Sequence, residues 1–174
     1  QRQMCIRDRT KFDNPILGVL AGTAITAILQ SSSASLGILQ AIANQGVMPL
    51  HSAMYIIFGF NIGTCITSVL SSVGSSKNAK RTALVHVLFN IIGTIIFVTL
   101  SFIVPIDKII ISYSRYLPAA QIANLHTLFN VATSVLLFPF SRKLADLSFK
   151  IIPGIDKEQE DMSLQYICLL YTSD

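Results

Sequence analysis

The chain has 174 residues, of which 52% are hydrophobic and only 13% are charged, and its formal net charge is +4 at pH 7. A soluble domain carries about 25% charged residues, so this composition argues against a soluble protein. The basic residues lie in short clusters between apolar stretches, an arrangement that argues against nucleic-acid binding.

Three long stretches of the sequence contain no Asp, Glu, Lys or Arg. They cover 63 residues from Asn14 to Ser76, 25 residues from Thr82 to Ile106, and 26 residues from Tyr116 to Ser141. A helix needs roughly 20 apolar residues to cross the hydrocarbon core of a bilayer. Each stretch is long enough to cross, so we expect an all-α polytopic protein of the lipid bilayer, in the plasma or inner membrane.

The first apolar segment, from Pro15 to Ala43, is interrupted by four polar residues, Gln30, Ser31, Ser32 and Ser33. An unbroken helix of this length would extend about 43 Å, whereas the hydrocarbon core is ~30 Å thick. We therefore expect two half-helices that meet at the serines and form a re-entrant helical hairpin. Non-helical backbone at this depth must be buried in protein or line a wet cavity.

The second segment, from Ser52 to Ser72, contains Gly59-Phe60-Asn61-Ile62-Gly63-Thr64 near its middle. Two glycines four residues apart weaken a helix and permit close approach of another backbone. The segment is therefore predicted to be a discontinuous transmembrane helix, broken at this point.

The third and fourth segments are predicted to be continuous transmembrane helices. They run from Thr82 to Val104 and from Ala119 to Phe138, and each ends next to a proline, Pro105 or Pro139. Proline lacks the backbone N–H that a continuing helix requires.

Charge indicates an orientation for these crossings. If successive segments cross the membrane in alternating directions, six basic residues lie on one side of it: Lys77, Lys80, Arg81, Arg142, Lys143 and Lys150. Lys108 and Arg115 fall on the other side. The positive-inside tendency makes the first side, with Lys77–Arg81 and Arg142–Lys150, cytoplasmic, whereas Lys11 would favour the reverse.

Both ends of the chain differ from the apolar segments. Residues 1–12 and 163–174 share no periodicity with their neighbours and resemble translated adapter read-through, so they are interpreted as non-native. Residues 13–152 are predicted to form the transmembrane part. Residues 153–162 turn acidic after Pro153-Gly154 and are predicted to begin a soluble cytoplasmic extension.

Small or polar residues recur every four positions, which places them on one face of each helix. The stripes are Gly18, Gly22, Thr26 and Gln30; Gly59, Gly63, Thr67 and Ser71; His86, Asn90 and Thr94; and His126, Asn130 and Ser134. Polar groups that face lipid are costly, so these faces are expected to point into the protein. For the interior polar residues His86, Asn90, His126 and Asn130, helix packing with interhelical hydrogen bonds is the favoured interpretation.

The cluster from Gln30 to Ser35 is the strongest candidate for a binding site, with an ordinary serine-capped kink as the alternative. A half-helix that begins after the break directs its N–H groups and positive dipole end at the cluster, which suits an oxyanion. Hydroxyl and carbonyl oxygens at the break suit a hard cation such as Na⁺. No carboxylate lies between Asp13 and Asp107, so an anionic substrate would meet no repulsion there.

Several motifs, in this order, resemble the sodium–phosphate cotransporter family, which includes the type II cotransporters of animals and related bacterial proteins. They are QSSSAS at 30–35, GFNIGTCIT at 59–67, AKRTA at 79–83 and HVLFN at 86–90, within a resemblance that extends from about Asn14 to Ile152. Members of this family contain two inverted repeats, each with a QSSS hairpin. The single QSSS here resembles the second repeat of a bacterial member, one half of an inverted-repeat transporter.

The resemblance implies a sodium-coupled phosphate symporter rather than an enzyme. It implies that phosphate is bound by Gln30, Ser31, Ser32, Ser33, Ser35, Asn61, Gly63 and Thr64. It further implies Na⁺ ligands among Gln30, Ser32, Thr64 and Thr67. The first inverted repeat of the same protein would supply the other half of the site.

Two other functions remain open from the sequence. A membrane-anchored phosphate sensor or regulatory subunit would bind phosphate without transporting it, and an upstream second QSSS repeat would argue against that function. An intramembrane serine hydrolase that pairs a serine of the cluster with His86 is disfavoured, because the sequence offers neither a nucleophile elbow nor an acidic partner for the histidine.

Overall fold

The structure is a computed structural model, and it describes residues 14–115 and 117–154. Over these residues the chain is entirely helical. The helices are α1 (Pro15–Leu29), α2 (Ser32–Asn44), α3 (Leu50–Ser72), α4 (Lys77–Ile103), α5 (Ile106–Tyr113), α6 (Pro118–Leu137) and α7 (Ser141–Ile151). A 3₁₀ turn, Phe138–Phe140, joins α6 to α7. The predictions for residues 1–12, 163–174 and the extension beyond Gly154 lie outside the described residues.

α1 and α2 form a helical hairpin that is broken at Gln30 and Ser31, as the sequence predicts. Asn14 caps α1 by accepting a hydrogen bond from the N–H of Ile16. With 15 and 13 residues, the two helices extend about 22 Å and about 20 Å. Neither arm is long enough to cross a hydrocarbon core of ~30 Å.

α3 is continuous from Leu50 to Ser72, so the predicted break at Gly59–Thr64 is wrong. The glycines serve helix packing instead. A Cβ atom on Gly59 would lie 2.1 Å from the carbonyl oxygen of Val19, and one on Gly63 would lie 2.5 Å from that of Thr23. Glycine keeps the backbone hydrogen bonds of a helix, although its helix propensity is about 1 kcal/mol less favourable than that of alanine. The close contact with α1 offsets this cost, so α3 stays continuous.

α1 and α3 run in the same direction. Gly18 packs against Tyr55 near the start of α3, whereas Thr26 packs against Gly63, one turn before the hairpin tip. Gly63 lies about 20 Å along α3 from Leu50, at 1.5 Å per residue. At the other end of the hairpin, Ala43 of α2 lines a cavity together with Leu50. Both ends of the hairpin therefore lie near the start of α3, and its tip points along α3.

The three stretches that are long and apolar enough to cross a membrane are α3, α4 and the run from α6 through α7. α4 and α6 are antiparallel, because Phe97 packs against Phe129 and Gly93 against Thr133. The ring of Phe58 in α3 lies 5.8 Å from that of Phe97 and 5.2 Å from that of Phe129. This aromatic cluster is the centre of the core.

Three helix features differ from the sequence prediction. α4 begins at Lys77 rather than Thr82, because the hydroxyl of Ser76 caps it by accepting a hydrogen bond from the N–H of Ala79. The predicted loop after Pro105 contains α5, whose Ile106 and Ile110 are buried at helical spacing. The chain also stays helical after Pro139, through the 3₁₀ turn into α7.

The two ends of the helix bundle differ in charge. Arg81, at the start of α4, donates hydrogen bonds to the carbonyl oxygen of Ile152 at 2.9 and 3.1 Å and to that of Gly154. The basic clusters at 77–81 and 142–150 therefore lie at the same end, which we call the basic end. At the opposite end, where α3 begins and the hairpin starts, His51 Nδ1 lies 3.3 Å from a carboxylate oxygen of Asp107, and we call it the entry end.

Replacement of Gly22 by alanine tests the α1–α3 contact. The added Cβ would lie 2.0 Å from the carbonyl oxygen of Ile56, so the helices must move apart. We expect Gly22→Ala to lower the free energy of unfolding by roughly 1–3 kcal/mol, measured by thermal unfolding in detergent. Gly37→Ala, in α2, is the matched control because nothing lies within 4 Å of its Cβ position. An equal loss of stability in both variants would contradict the proposed packing.

Candidate functional site

Two residues reverse the chain at the hairpin tip. Gln30 adopts the left-handed conformation, with φ 52°, and its N–H donates to the carbonyl oxygen of Thr26 at 2.7 Å. Ser31 is extended, and its Oγ accepts a hydrogen bond from the N–H of Ala34 at 3.2 Å. α1 therefore ends, and α2 begins, within two residues.

A buried hydrogen bond joins the two arms just below the tip. The hydroxyl of Thr26 donates to Ser35 Oγ at 3.1 Å, and Ser35 Oγ donates to the carbonyl oxygen of Ser31 at 2.9 Å. Thr26 and Ser35 are 0% and 1% exposed. Hydrogen bonds shielded from water in this way fix the geometry of the groups that they join. Thr26 was absent from the predicted site, although its place in the Gly18–Gln30 stripe was a signal for it.

The tip leaves donors available for a ligand. The first N–H groups of a helix have no intrahelical acceptor, and in α2 the cap by Ser31 satisfies only the N–H of Ala34. The N–H groups of Ser32 and Ser33 remain, together with their two hydroxyls, which have no partner among the described residues. Because the positive dipole end of α2 lies at the same point, these donors suit an anion.

The tip also presents acceptors. The last carbonyl groups of α1 lack a further helical turn to bond to them, and they carry the negative end of the α1 dipole. Uncharged oxygens of this kind bind Na⁺ in discontinuous transmembrane helices. No charged residue occurs from Asn14 to Ser76, so neither the hairpin nor α3 brings a charged side chain to the tip.

Of the predicted site residues in α3, Gly63 and Thr67 lie on the face that packs against the hairpin. Gly63 contacts Thr23 and Thr26 directly. Thr67 is one turn further along the same face, is exposed, and donates its hydroxyl to the carbonyl oxygen of Thr64 at 3.0 Å. The hydroxyl of Thr64 donates to the carbonyl oxygen of Phe60 at 2.7 Å.

Asn61 is not brought to the tip. It precedes Gly63 by two residues, which is about 200° around the helix. Its side-chain amide is buried and donates to the carbonyl oxygen of Ile57 at 3.1 Å. One turn further on that face, Cys65 Sγ lies 3.6 Å from the carbonyl oxygen of His86 in α4. Asn61 therefore lies on the face of α3 that packs against α4.

The two His–Asn pairs occupy different environments. His86 Nδ1 lies 2.9 Å from Ser68 Oγ, a contact between α4 and α3. Asn90 donates to the carbonyl oxygen of His86 at 3.0 Å. His126 and Asn130 bond to each other within α6. The hydroxyl that His86 contacts therefore belongs to α3 and not to the serines of the tip.

The expectation that all four stripes point into the protein is only partly correct. Within this chain, four stripe residues are exposed: Gln30, Thr67, Ser71 and Ser134. Gly63 packs against Thr26 one turn before the tip, so Thr67 lies level with the tip and Ser71 extends past it, and both are exposed. The exposed polar residues of α3 therefore line the space directly beyond the tip.

Among the described residues, the three helical stretches that are long and apolar enough to cross a bilayer define the class: this is an α-helical membrane protein. The model of the Na⁺/Pi-cotransporter family matches residues 6–143. The chain therefore belongs to the Na⁺/Pi-cotransporter family.

Relatives in several organisms support this membership. The uncharacterized protein YqeW of Bacillus subtilis is 38% identical over 136 residues, which cover 78% of this chain and 43% of YqeW. The human sodium-dependent phosphate transport protein 2B is 28% identical over 176 residues, which cover 93% of this chain and 24% of that protein. The chain therefore spans less than half the length of these relatives. No solved structure matches it.

The left-handed conformation of Gln30 predicts a difference between two substitutions. Glycine adopts φ 52° without the steric cost that a Cβ imposes, so Gln30→Gly is expected to be about 1 kcal/mol more stable than Gln30→Ala. Thermal unfolding in detergent measures the difference. At Gln45, where φ is −80°, glycine should give no such gain over alanine. A Gln30→Ala variant at least as stable as Gln30→Gly would contradict the described tip.

Proposed function

We propose that this chain forms one half of a sodium-coupled phosphate symporter of the plasma or inner membrane, and that the hairpin tip binds phosphate and Na⁺. The observation that carries this proposal is the meeting of two oppositely polarised helix ends at Gln30 and Ser31. The serine donors of α2 fit phosphate oxygens, and the carbonyl end of α1 fits a cation. The human relative that resembles this chain is named for sodium-dependent phosphate transport.

The neutral character of the site suits transport. Hydroxyl and amide donors hold a phosphate without forming a salt bridge, so the anion can leave again on the other side. A phosphate dianion at membrane depth is costly without a counter-charge. A Na⁺ ion at the carbonyl end of α1, with Gln30, Ser32, Thr64 and Thr67 as proposed ligands, lowers this cost. Each ion then favours binding of the other, which is the thermodynamic basis of coupling.

The hairpin is proposed to be re-entrant, with both of its ends on the entry side of the membrane. Its arms of about 22 Å and about 20 Å support this, because they bring the tip to membrane depth without crossing it. Space beyond the tip, where Thr67 and Ser71 are exposed, would lead to the basic end. The inverted repeat upstream of this chain would cover the opposite side, and alternating access would expose the tip to one side at a time.

Replacement of Ser32 by alanine tests the anion site. A hydrogen bond to a charged group contributes about 1.5–3 kcal/mol, so Ser32→Ala should weaken the apparent affinity for phosphate at least tenfold. The measurement is radiolabelled phosphate flux into proteoliposomes that hold the full-length protein, with and without a Na⁺ gradient. Ser75→Ala is the matched control, because Ser75 is an exposed loop residue near the basic end.

The outcomes of this experiment separate the candidate functions. Flux that follows the Na⁺ gradient and falls in Ser32→Ala, but not in Ser75→Ala, supports symport through the tip. Unchanged flux in a correctly inserted Ser32→Ala protein contradicts the site. Phosphate binding without flux under either condition would instead support a membrane-anchored sensor.

Orientation is tested by cysteine accessibility. We expect Lys80→Cys and Lys143→Cys to resist a membrane-impermeant maleimide applied to intact cells, because the basic end is proposed to be cytoplasmic. Arg115→Cys, near the entry end, should react. The background protein carries alanine at its native cysteines. External labelling at position 80 or 143 would reverse the proposed orientation.

A further inference from the structure

Over residues 14–115 and 117–154, the basic end presents four cationic side chains that no described carboxylate neutralises. Lys80, Arg142, Lys143 and Lys150 are all exposed. Among the described residues, the one contact of a carboxylate with a basic side chain joins Asp107 to His51 and lies at the entry end. Asp146 is the single carboxylate in the described part of the basic end, and it pairs with none of these four cations. The described part of this end therefore carries a net positive charge that suits an anionic partner.

Large apolar side chains are interleaved with these cations. Phe138, Phe140 and Phe149 are 78%, 47% and 54% exposed. Lys143 Nζ lies 5.5 Å from the centre of the Phe140 ring, and the guanidinium of Arg81 lies 4.2 Å from that of Phe149. Exposed phenylalanine is unfavourable in water, whereas aromatic and basic residues side by side are typical of a membrane–water boundary.

Helix length places these residues at that boundary. α6 has 20 residues and extends about 30 Å, which matches the thickness of the hydrocarbon core. Phe138 and Phe140 follow at its end, and Arg142 and Lys143 follow them, so an α6 that spans the core brings these cations to the lipid headgroups. α7 buries Leu144 and Ser148 and leaves most of its other side chains facing outward.

We infer that this surface, formed by Lys80, Arg142, Lys143 and Lys150 with Phe138 and Phe140, binds anionic phospholipids of the adjoining leaflet. The phosphate of the headgroup meets the cations, and the phenylalanine rings lie at the level of the upper acyl chain. The exposed rings beside the cations favour a lipid over an acidic protein as the occupant. A phospholipid carries an acyl chain next to its phosphate, so it matches both kinds of group at once. Each basic residue near an anionic membrane surface contributes about 1 kcal/mol.

This surface is coupled to the rest of the helix bundle through Arg81. That side chain is 7% exposed, and its bonds to Ile152 and Gly154 attach the end of α7 to the start of α4. A lipid bound at α7 therefore holds α4 and α6 at a defined depth. The surface is separate from the hairpin tip, so the inference does not depend on the proposed phosphate site.

The test compares the double variant Arg142→Gln/Lys143→Gln with the control Lys108→Gln/Arg115→Gln, which removes the same charge near the entry end. Native mass spectrometry of the full-length protein in detergent measures the binding of added phosphatidylglycerol and phosphatidylcholine. We expect the wild-type protein and the control to prefer phosphatidylglycerol. In the double variant, binding of phosphatidylglycerol should be about thirty-fold weaker, which corresponds to about 2 kcal/mol for two cations.

A second measurement does not depend on folding of the variants. Sodium chloride at high concentration should weaken the binding of phosphatidylglycerol to the wild-type protein, because salt screens exposed charges. Three results would overturn the inference: equal binding of the two lipids by the wild-type protein, an undiminished preference in the double variant, or an equal loss in the control. Displacement of the lipid by millimolar inorganic phosphate would also overturn it, since a free anion would then be the ligand.

Discussion

The contact between α1 and α3 is the constraint on which the rest of the structure depends. α1 is too short to cross a bilayer, and its packing against α3 fixes its position in the bundle. Gly22, Gly59 and Gly63 remove the side chains that would keep the two helices apart. Thr23 adds a hydrogen bond to the carbonyl oxygen of Gly59 at 3.2 Å. Backbone contacts of this kind are rigid, and they give the hairpin tip a defined position along α3.

The hairpin tip brings together free N–H donors and free carbonyl acceptors, which lie at opposite ends of an ordinary helix. The C-terminal end of α1 and the N-terminal end of α2 meet at Gln30 and Ser31, and the Thr26–Ser35 hydrogen bond joins the arms below them. The groups that face the open space are neutral, so the field that they create is local and directional. An environment of this kind suits an anion and a cation that lie side by side.

The hairpin tip and the basic end are built from different kinds of residue. Uncharged serines and glutamine occupy the tip, whereas the basic end holds six of the eight described Lys and Arg residues, four of them exposed. Arg81 is the exception because it is buried, but its charge is met by carbonyl oxygens of the chain that leaves α7. The tip and the basic end are therefore chemically distinct parts of the bundle.

Much of this protein could be predicted from local sequence, and the remainder depended on which helices are neighbours. The uncharged stretches determined its membrane character, and the polar run at Gln30–Ser33 determined the break in the hairpin, because both act within one segment. The glycines of α3 could not be interpreted in that way. They allow either a break or a close contact, and only the presence of α1 decided for the contact. The same is true of Asn61, which lies on the face of α3 that packs against α4, away from the tip. This position follows from how the continuous α3 is rotated between its two neighbours, and no local sequence pattern specifies that rotation.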